Sequence, residues 1–362
     1  MNIAVDVMGG DYAPSSIIKG AIEALDEVEG SITLVGNRTV IEEELKNNGL
    51  SSHPFTIVNA SQSVEMNEAP ASAVRKKKDS SITNGLNLLK KGEACAFVSA
   101  GNTGAVMASA TLLLRPLDGI DRPAIAIPVP TITGPVVLLD AGANVDCKPK
   151  HLVQFAIMGH VYAKYIFGKN PPRVGLLSNG EEEEKGTETI KKTAGILKES
   201  SLNFIGSVEG KQLYNGIADV VVTDGFTGNI VLKVSESLAG MVSLSLKNIF
   251  SKSIVTKMGY LLLKKHLDSF KKRLDYSEYG GAPLLGVNGV CIIAHGSSSP
   301  KAFKNAIIQA EKFSRNKILD HIREEVVLNS GTDGIPAESV TPAGIWDRFK
   351  NSFSVSEKEE KS

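Results

Sequence analysis

The sequence predicts an α/β fold, a three-layer α/β/α arrangement in which a mostly parallel sheet lies between helices. Short apolar segments alternate with amphipathic helical segments along most of the 362 residues, an order typical of parallel sheets covered by helices on both faces. Hydrophobic residues form 42% and charged residues 22% of the chain, as in water-soluble proteins with a large core.

The alternation can be followed from the N-terminus. In each pair a strand-like run precedes a helix-like run, and the pairs are NIAVDV with PSSIIKGAIEAL, SITLVG with TVIEEELKNNG, CAFVSA with a helix beginning near Gly104, RVGLLS with GTETIKKTAGILKE, and ADVVVT with NIVLKVSESLAGMV. The uncharged run between Arg122 and Asp140 contains several prolines, which a membrane-spanning helix does not readily tolerate. It is interpreted as two strands, AIAIPV and PVVLLD, joined through Thr133-Gly134-Pro135.

No change of composition marks a domain boundary before about residue 330. We expect residues 1–330 to form a single α/β catalytic domain. Within it, residues from about 237 to 280 are expected to form a helical, basic and amphipathic insertion that projects from the domain. Residues 331–362 are rich in turn-forming and charged residues, so we expect a flexible C-terminal tail.

The charge balance and the cysteines exclude several classes of function. Lys plus Arg and Asp plus Glu number 40 each, so the global charge indicates no nucleic-acid partner. Cys95, Cys147 and Cys291 are far apart and form no zinc or disulfide pattern, which favours a reducing cytoplasm. The N-terminus shows no secretory signal.

Two strand-to-helix turns share one order of residue types. SAGNTGA (residues 99–105) and TDGFTGN (residues 223–229) each combine glycines with hydroxyl and amide side chains before a helix, a design that suits an anion at the helix N-terminus. Neither is a Walker A loop or a dinucleotide fingerprint, and tight turns with capped helices remain the alternative. The candidate binding residues are Ser99, Gly101, Asn102, Thr103, Gly104, Thr223, Asp224, Gly225, Thr227, Gly228 and Asn229.

Other polar residues follow further strands of the predicted sheet. They are Asp6, Gly9, Gly10, Asp11, Asp140, Asn144, Asn179, Lys185 and His295. An Asp6–Asp140 pair would permit a divalent metal without demanding one, and we expect no metal site. No nucleophile elbow, catalytic cysteine setting or HExxH motif is visible, so a bound substrate is expected to act as the nucleophile.

Residues 251–275 differ from the rest because they combine basic residues with an apolar stripe. The exposed candidates are Lys257, Leu261, Leu262, Lys264 and Lys265. The pattern is typical of a helix on an anionic membrane or of a docking site for an acidic partner. Packing on the core or on a second subunit is the alternative.

Seven motifs in this order resemble one family, the PlsX phosphate acyltransferases of bacterial phospholipid synthesis. They are DVMGGDYAP, SAGNTGA, LLDAGAN, LLSNGEEEEKG, VVTDGFTGNIVLK, EYGGAPLLGVNG and AHGSS. The resemblance implies a fold similar to isocitrate dehydrogenase and phosphotransacetylase. It also implies reversible transfer of a fatty acyl group from acyl-[acyl-carrier-protein] to orthophosphate, with no cofactor.

The resemblance further implies a homodimer with peripheral membrane contact. The acyl phosphate would pass to a membrane glycerol-3-phosphate acyltransferase. We expect the two turns to hold orthophosphate and the phosphopantetheine phosphate. Asn144, Asn179 or Lys185 would stabilise the oxyanion of the tetrahedral intermediate, and His295 would bind a phosphate rather than abstract a proton.

Three other functions remain open from the sequence. They are a phosphotransacetylase-like enzyme that uses acyl-coenzyme A, a decarboxylating dehydrogenase, and a non-catalytic membrane scaffold of lipid synthesis. The density of Gly, Asn and Thr at strand ends argues against a scaffold, because a scaffold has little use for anion sites.

Overall fold

The computed structural model describes residues 1–274 and 276–329. The tail expected over 331–362 lies outside the described residues. The strands are β1 (Asn2–Asp6), β2 (Ser31–Gly36), β3 (Thr56–Asn59), β4 (Ala96–Ser99), β5 (Ala124–Thr131), β6 (Gly134–Leu139), β7 (Val174–Ser178), β8 (Phe204–Glu209), β9 (Val220–Val222), β10 (Ala282–Leu285) and β11 (Val290–Ile293).

The helices of the described residues lie on both sides of these strands. They are α1 (Ser15–Ala24), α2 (Arg38–Asn47), α3 (Pro70–Lys76), α4 (Ser81–Lys90), α5 (Thr103–Leu113), α6 (Pro149–Phe167), α7 (Glu188–Lys198), α8 (Gly225–Ser251), α9 (Ile254–Leu274), α10 (Pro300–Arg315) and α11 (Ile318–Asn329).

The predicted fold class is confirmed. The described strands form one sheet in the order β3-β2-β1-β4-β11-β10-β5-β6-β9-β7-β8, and parallel pairs predominate. β5 and β6 form the antiparallel hairpin that the proline-containing run predicted. The alternation rule did not single out β10, because this strand pairs antiparallel with both neighbours and belongs to no β–α unit.

The sheet consists of two parallel blocks that run in opposite directions, with β10 and β5 between them. Ile293, at the end of β11, pairs with Ala282, and further along β10 Leu284 pairs with Ile125 of β5. Leu139, at the end of β6, is level with Ala126. The carboxyl ends of both blocks therefore meet near the middle of the sheet, where ligands of such folds bind.

The core occupies both faces of the sheet. On one face, Ile3 and Val5 of β1 pack with buried residues of α1, α6, α10 and α11. On the other face, Ala4 packs with α4 and α5, and the strands β6 and β9 form a further apolar cluster. Successive residues of a strand face opposite sides, so both layers are needed to cover it.

α8 and α9 extend away from this core. Within α8 the buried residues are Gly225 and Gly228, both in its first turn. Apolar side chains along both helices are exposed, including Leu238 at 52% and Leu262 at 84%. None of the described helices is both long enough and apolar enough to span a bilayer.

Candidate active site

The 99–105 turn presents free hydrogen-bond donors at the start of α5. Asn102 caps the helix, because its Oδ1 accepts from the Ala105 amide at 3.0 Å and its Nδ2 donates to carbonyls of the 65–68 loop. The Thr103 side chain is exposed. Within the described residues, neither its hydroxyl nor the first two helical amides meet an acceptor. These donors lie at the positive end of the helix dipole.

The 223–229 turn is occupied by its own side chains. Asp224 caps α8, since Oδ1 accepts from the Thr227 amide and Oδ2 accepts from the Thr227 hydroxyl, both at 2.8 Å. The Gly225 amide donates to the Asn144 carbonyl at 2.7 Å. A carboxylate therefore lies where an anion would bind. The two turns that look alike in sequence are not equivalent in structure.

Glycines in these turns are required by packing. A Cβ on Gly228 would lie 1.9 Å from the Asp140 carbonyl oxygen, and one on Gly225 would lie 2.8 Å from the Asp140 carboxylate. A Cβ on Gly104 would lie 2.6 Å from the ring of Pro70. These distances are shorter than van der Waals contact, so the glycines are explained without a ligand.

The loop after β1 packs on the loops after β4 and β11. A Cβ on Gly9 would lie 2.7 Å from the backbone of Gly101, and the Asp11 amide donates to the Gly296 carbonyl at 2.8 Å. Gly10 has a φ of +117°, a conformation that glycine adopts without strain. The three strand ends are thus brought together, with the Asp11 side chain exposed.

Two buried aspartates organise the two turns. The Asp6 carboxylate accepts from the Ser99 hydroxyl at 2.6 Å and from the Met8 amide at 3.1 Å. The Asp140 carboxylate accepts from the backbone amides of Ile125, Gly142, Ala143 and Asn144 and from the side-chain amide of Asn144. Burial raises the pKa of both carboxyl groups, while these hydrogen bonds act in the opposite direction.

These bonds assign structural roles to Asp6 and Asp140. No group of three or more His, Cys, Asp or Glu side chains in the described part of the chain is placed to hold a metal ion. The hydroxyl of Ser99 is used by Asp6, so it is not a free donor for a ligand.

A central pocket of about 200 Å³ lies above β5, β10 and β11. It is lined by polar side chains from both turns and from the loop after β11, namely Thr103, Asn229 and His295. Its other walls are largely apolar and include Ile125, Ile127, Pro128, Ala141, Leu232, Ala282, Ile293 and Ala294. Polar groups and an apolar floor therefore share one pocket.

The His295 ring is oriented by the residues that follow it. Nδ1 accepts from the Ser297 amide at 3.2 Å and lies 2.8 Å from the Ser297 hydroxyl. A ring nitrogen that accepts from an amide carries no proton, so the neutral ring has its proton on Nε2. In this tautomer His295 is a hydrogen-bond donor through Nε2.

A second, more polar space lies on the other side of the first turns of α8. This lateral groove has a volume of about 740 Å³ and is lined by residues that include Cys147, Ser178, Asn179, Thr187, Thr223, Asp224, Thr227 and Val231. Burial and the nearby Asp140 raise the pKa of the Cys147 thiol to about 12. A thiol that stays protonated at neutral pH is a poor nucleophile, so Cys147 is not expected to form a covalent intermediate.

The remaining predicted residues differ in whether their side chains already take part in hydrogen bonds within the protein. Asn144 donates through Nδ2 to the Pro123 carbonyl and to Asp140, so it has no spare donor for an oxyanion. The oxyanion role expected for Asn144 is therefore replaced by a positioning role. Asn179 accepts from the Gly186 amide and lines the lateral groove, and Lys185 is exposed on the same loop.

The sequence reading missed several lining residues of the central pocket. Leu232 and Lys233 lie three and four positions after Asn229, so a helical face drawn from Asn229 includes them. Lys233 is paired with Glu236 at 3.2 Å. Ala282 lies in the EYGGAPLLGVNG motif, but only the register of β10 shows that it reaches the pocket.

Relatives in sequence cover nearly all of the chain. The family model described as "Fatty acid synthesis protein" matches residues 1–321. A phosphate acyltransferase of Geotalea uraniireducens is 50% identical over 91% of this chain and 95% of its own length. One from Pelotomaculum thermopropionicum is 52% identical over 90% of this chain and 95% of its own length.

Solved structures show the same fold at low sequence identity. A phosphotransacetylase from Streptococcus pyogenes has a TM-score of 0.59 at 19% identity, covering 86% of this chain and 93% of its own. A branched-chain phosphotransacylase from Enterococcus faecalis has a TM-score of 0.54 at 13% identity, and the match covers 86% of this chain and 99% of its own. The expected likeness to the phosphotransacetylase fold is confirmed. The family model and the sequence relatives show that the chain belongs to the PlsX family of phosphate acyltransferases, enzymes that transfer an acyl group to phosphate.

Proposed function

We propose that this enzyme takes a fatty acyl group from acyl-[acyl-carrier-protein] and transfers it to orthophosphate, forming acyl phosphate for phospholipid synthesis. The observation that carries this proposal is the central pocket, in which donors from the 99–105 turn, α8 and the loop after β11 stand beside an apolar floor. A fatty thioester needs both surfaces, because its carbonyl group develops negative charge while its chain is apolar.

Orthophosphate binds at the 99–105 turn in this proposal. The Thr103 hydroxyl and the first amides of α5 are donors without an acceptor among the described residues, and the helix dipole favours an anion there. At the 223–229 turn, by contrast, the carboxylate of Asp224 repels an anion. The structure thus favours one of the two anion sites that the sequence suggested.

The reaction follows from this placement. A phosphate oxygen attacks the thioester carbon, and the carbonyl oxygen becomes an oxyanion beside the side-chain amide of Asn229 and the ring of His295, which both line the pocket. Collapse of the intermediate breaks the carbon–sulfur bond, forms the acyl phosphate and releases a thiolate that takes a proton from water. Phosphate is already largely ionised at neutral pH, so positioning replaces a general base.

The lateral groove receives the phosphopantetheine arm of the donor. It adjoins the central pocket across the first turns of α8, where Asn229 faces one space and Thr227 the other. The Ser178 hydroxyl is buried without a hydrogen-bond partner in the described structure, so it is available to a ligand. Lys185, exposed on the bordering loop, supplies a positive charge for the phosphate of the arm.

The exposed basic residues of α9 favour a carrier protein over free coenzyme A. Lys257, Lys264 and Lys265 are exposed and present positive charge to an acidic protein surface. The exposed apolar side chains of α9, including Leu261 and Leu262, provide the peripheral membrane contact. Acyl phosphate is itself amphipathic, and release at the membrane delivers it to a glycerol-3-phosphate acyltransferase there.

The test is the release of free thiol from palmitoyl-[acyl-carrier-protein] at varied orthophosphate, with palmitoyl-coenzyme A in parallel. We expect release that depends on phosphate, with a kcat/KM at least tenfold higher for the carrier-protein donor. Equal or better use of coenzyme A would reject the donor assignment. It would instead favour the second candidate function, a phosphotransacetylase-like enzyme that uses acyl-coenzyme A. A phosphotransacetylase is among the structural neighbours.

A further inference from the structure

The floor of the central pocket contains one small residue between two large ones. Ala282 of β10 pairs with Ile293 of β11 on one side, and Leu284 of β10 pairs with Ile125 of β5 on the other. The same antiparallel alignment carried two residues further puts Ile127 beside Ala282. Residues that are level in neighbouring strands point to the same face of a sheet. All three line the pocket, so the alanine leaves a depression between two isoleucines.

The depression begins close to the polar end of the pocket. Ile293 ends β11 and is followed directly by Ala294 and His295, so His295 is two residues along the chain from the depression. Leu232 of α8 also lines the pocket, and Ile125 and Ala141 belong to the same apolar cluster as Ile293. An apolar path therefore leads away from the place where the carbonyl group is held.

We propose that this depression is the acyl-chain subsite and that Ala282, with Ile127, sets which chains the enzyme accepts. This inference rests on the proposed function, because it takes the pocket as the place of reaction. A side chain larger than alanine at 282 fills the path and excludes long chains. A smaller side chain at 127 widens it. The occupant is the saturated hydrocarbon chain of the acyl group, because the lining offers dispersion contacts and few polar groups.

The experiment measures kcat/KM for carrier-protein thioesters of 8-, 12- and 16-carbon acyl groups, each at about the same phosphate concentration, with Ala282→Val, Ala282→Phe and Ile127→Ala. In Ala282→Phe we expect the ratio of 16-carbon to 8-carbon activity to fall at least about tenfold, since each methylene kept out of the pocket loses favourable transfer from water. The same ratio in Ala282→Val should lie between those of wild type and Ala282→Phe. In Ile127→Ala the ratio should stay the same or rise. The KM for phosphate stays within about twofold in all of them.

Ala194→Leu serves as the matched control, since it enlarges a partly buried alanine of α7 outside this pocket. It should leave the ratio unchanged. If Ala282→Phe does not fold, the chain-length ratios of Ala282→Val and Ile127→Ala still test the acyl-chain subsite. Unchanged ratios in folded variants would overturn the acyl-chain subsite. The proposed function would still stand in that case, provided that the wild type turns over the carrier-protein thioesters. A folded wild type that is inactive with every donor would reject the proposed function itself.

Discussion

At the scale of single residues, the two similar turns acquire different roles from their capping side chains. Asn102 and Asp224 both accept an amide hydrogen bond three residues on, but one is neutral and the other carries a carboxylate. The carboxylate also accepts a hydrogen bond from the hydroxyl of Thr227, whereas the side chain of Thr103 is exposed. One functional group therefore distinguishes the turn that we propose for phosphate from the turn that is closed by its own capping side chain.

The first prediction compares Thr103→Val with Thr227→Val. We expect the first change to raise the KM for phosphate by about 10- to 100-fold, because a hydrogen bond to a charged group contributes about 1.5–3 kcal/mol. The second should leave that KM within about threefold and lower the melting temperature instead, because it removes a hydrogen bond within the cap. Steady-state kinetics at varied phosphate and thermal unfolding check both. A larger phosphate defect in Thr227→Val would reverse our assignment of the two turns.

A second residue-scale prediction concerns His151 at the start of α6. Burial and the neighbouring Arg122 lower its pKa to about 4, whereas an unfolded histidine titrates near 6.5. Between these values the unfolded chain binds a proton that the folded chain does not, so stability decreases as the pH falls from about 6.5 to 4.

His151→Gln should therefore lose less stability than wild type between pH 7 and pH 5, with a difference in melting temperature of roughly 3 °C or more. Thermal unfolding at the two pH values measures it. His266→Gln, at an exposed histidine of α9, is the control and should follow the wild type. Parallel curves for His151→Gln and wild type would contradict the prediction.

At the scale of elements, α8 and α9 present two different apolar surfaces. On α8 the exposed apolar residues recur every three or four positions and few charges accompany them, as in a surface that packs on protein. On α9 exposed lysines accompany the apolar residues, as in a helix that lies on anionic lipid. From this charge pattern we propose a subunit contact for α8 and a membrane contact for α9.

For α9 we predict that Lys264→Gln combined with Lys265→Gln weakens binding to vesicles of anionic lipid by about tenfold at low salt, and less at high salt. Leu261→Ser with Leu262→Ser should weaken binding at every salt concentration, because buried apolar area is lost. Co-sedimentation with vesicles measures both. Lys90→Gln with Lys91→Gln removes two exposed neighbouring lysines elsewhere and should have no such effect. Unchanged binding in the α9 lysine variant would instead favour packing of this helix on protein.

At the scale of the whole molecule, the site exists because two parallel blocks meet with opposed directions. Their carboxyl ends are nearly level beside β10 and β5, so loops far apart in the chain line one pocket. Elements on both sides of the sheet hold these loops in place, which gives a rigid base to the positioning mechanism that we propose.

The α8 surface leads to a prediction about assembly. Phe226, Ile230, Val234, Leu238 and Met241 lie on one exposed face of the helix, and we propose that a second copy of the chain covers it. Leu238→Glu should shift the protein from dimer to monomer in sedimentation experiments, because a buried unpaired charge is costly. Ser243→Glu adds the same charge to an exposed part of α8 outside this stripe and should leave the dimer intact. A dimer that survives Leu238→Glu would place the subunit contact elsewhere.

The sequence alone determined the fold class, the family and the strand ends that carry polar residues. These follow from local patterns, since β–α alternation and the order of residue types in a motif are written along the chain. Only the tertiary structure decided that Asn144 and Asn102 have already used their donors, that Asp140 is a buried organiser, and that Ala282 reaches the pocket. Whether a polar group is free depends on partners far away in sequence, and the register of an antiparallel central strand is not encoded in its own residues.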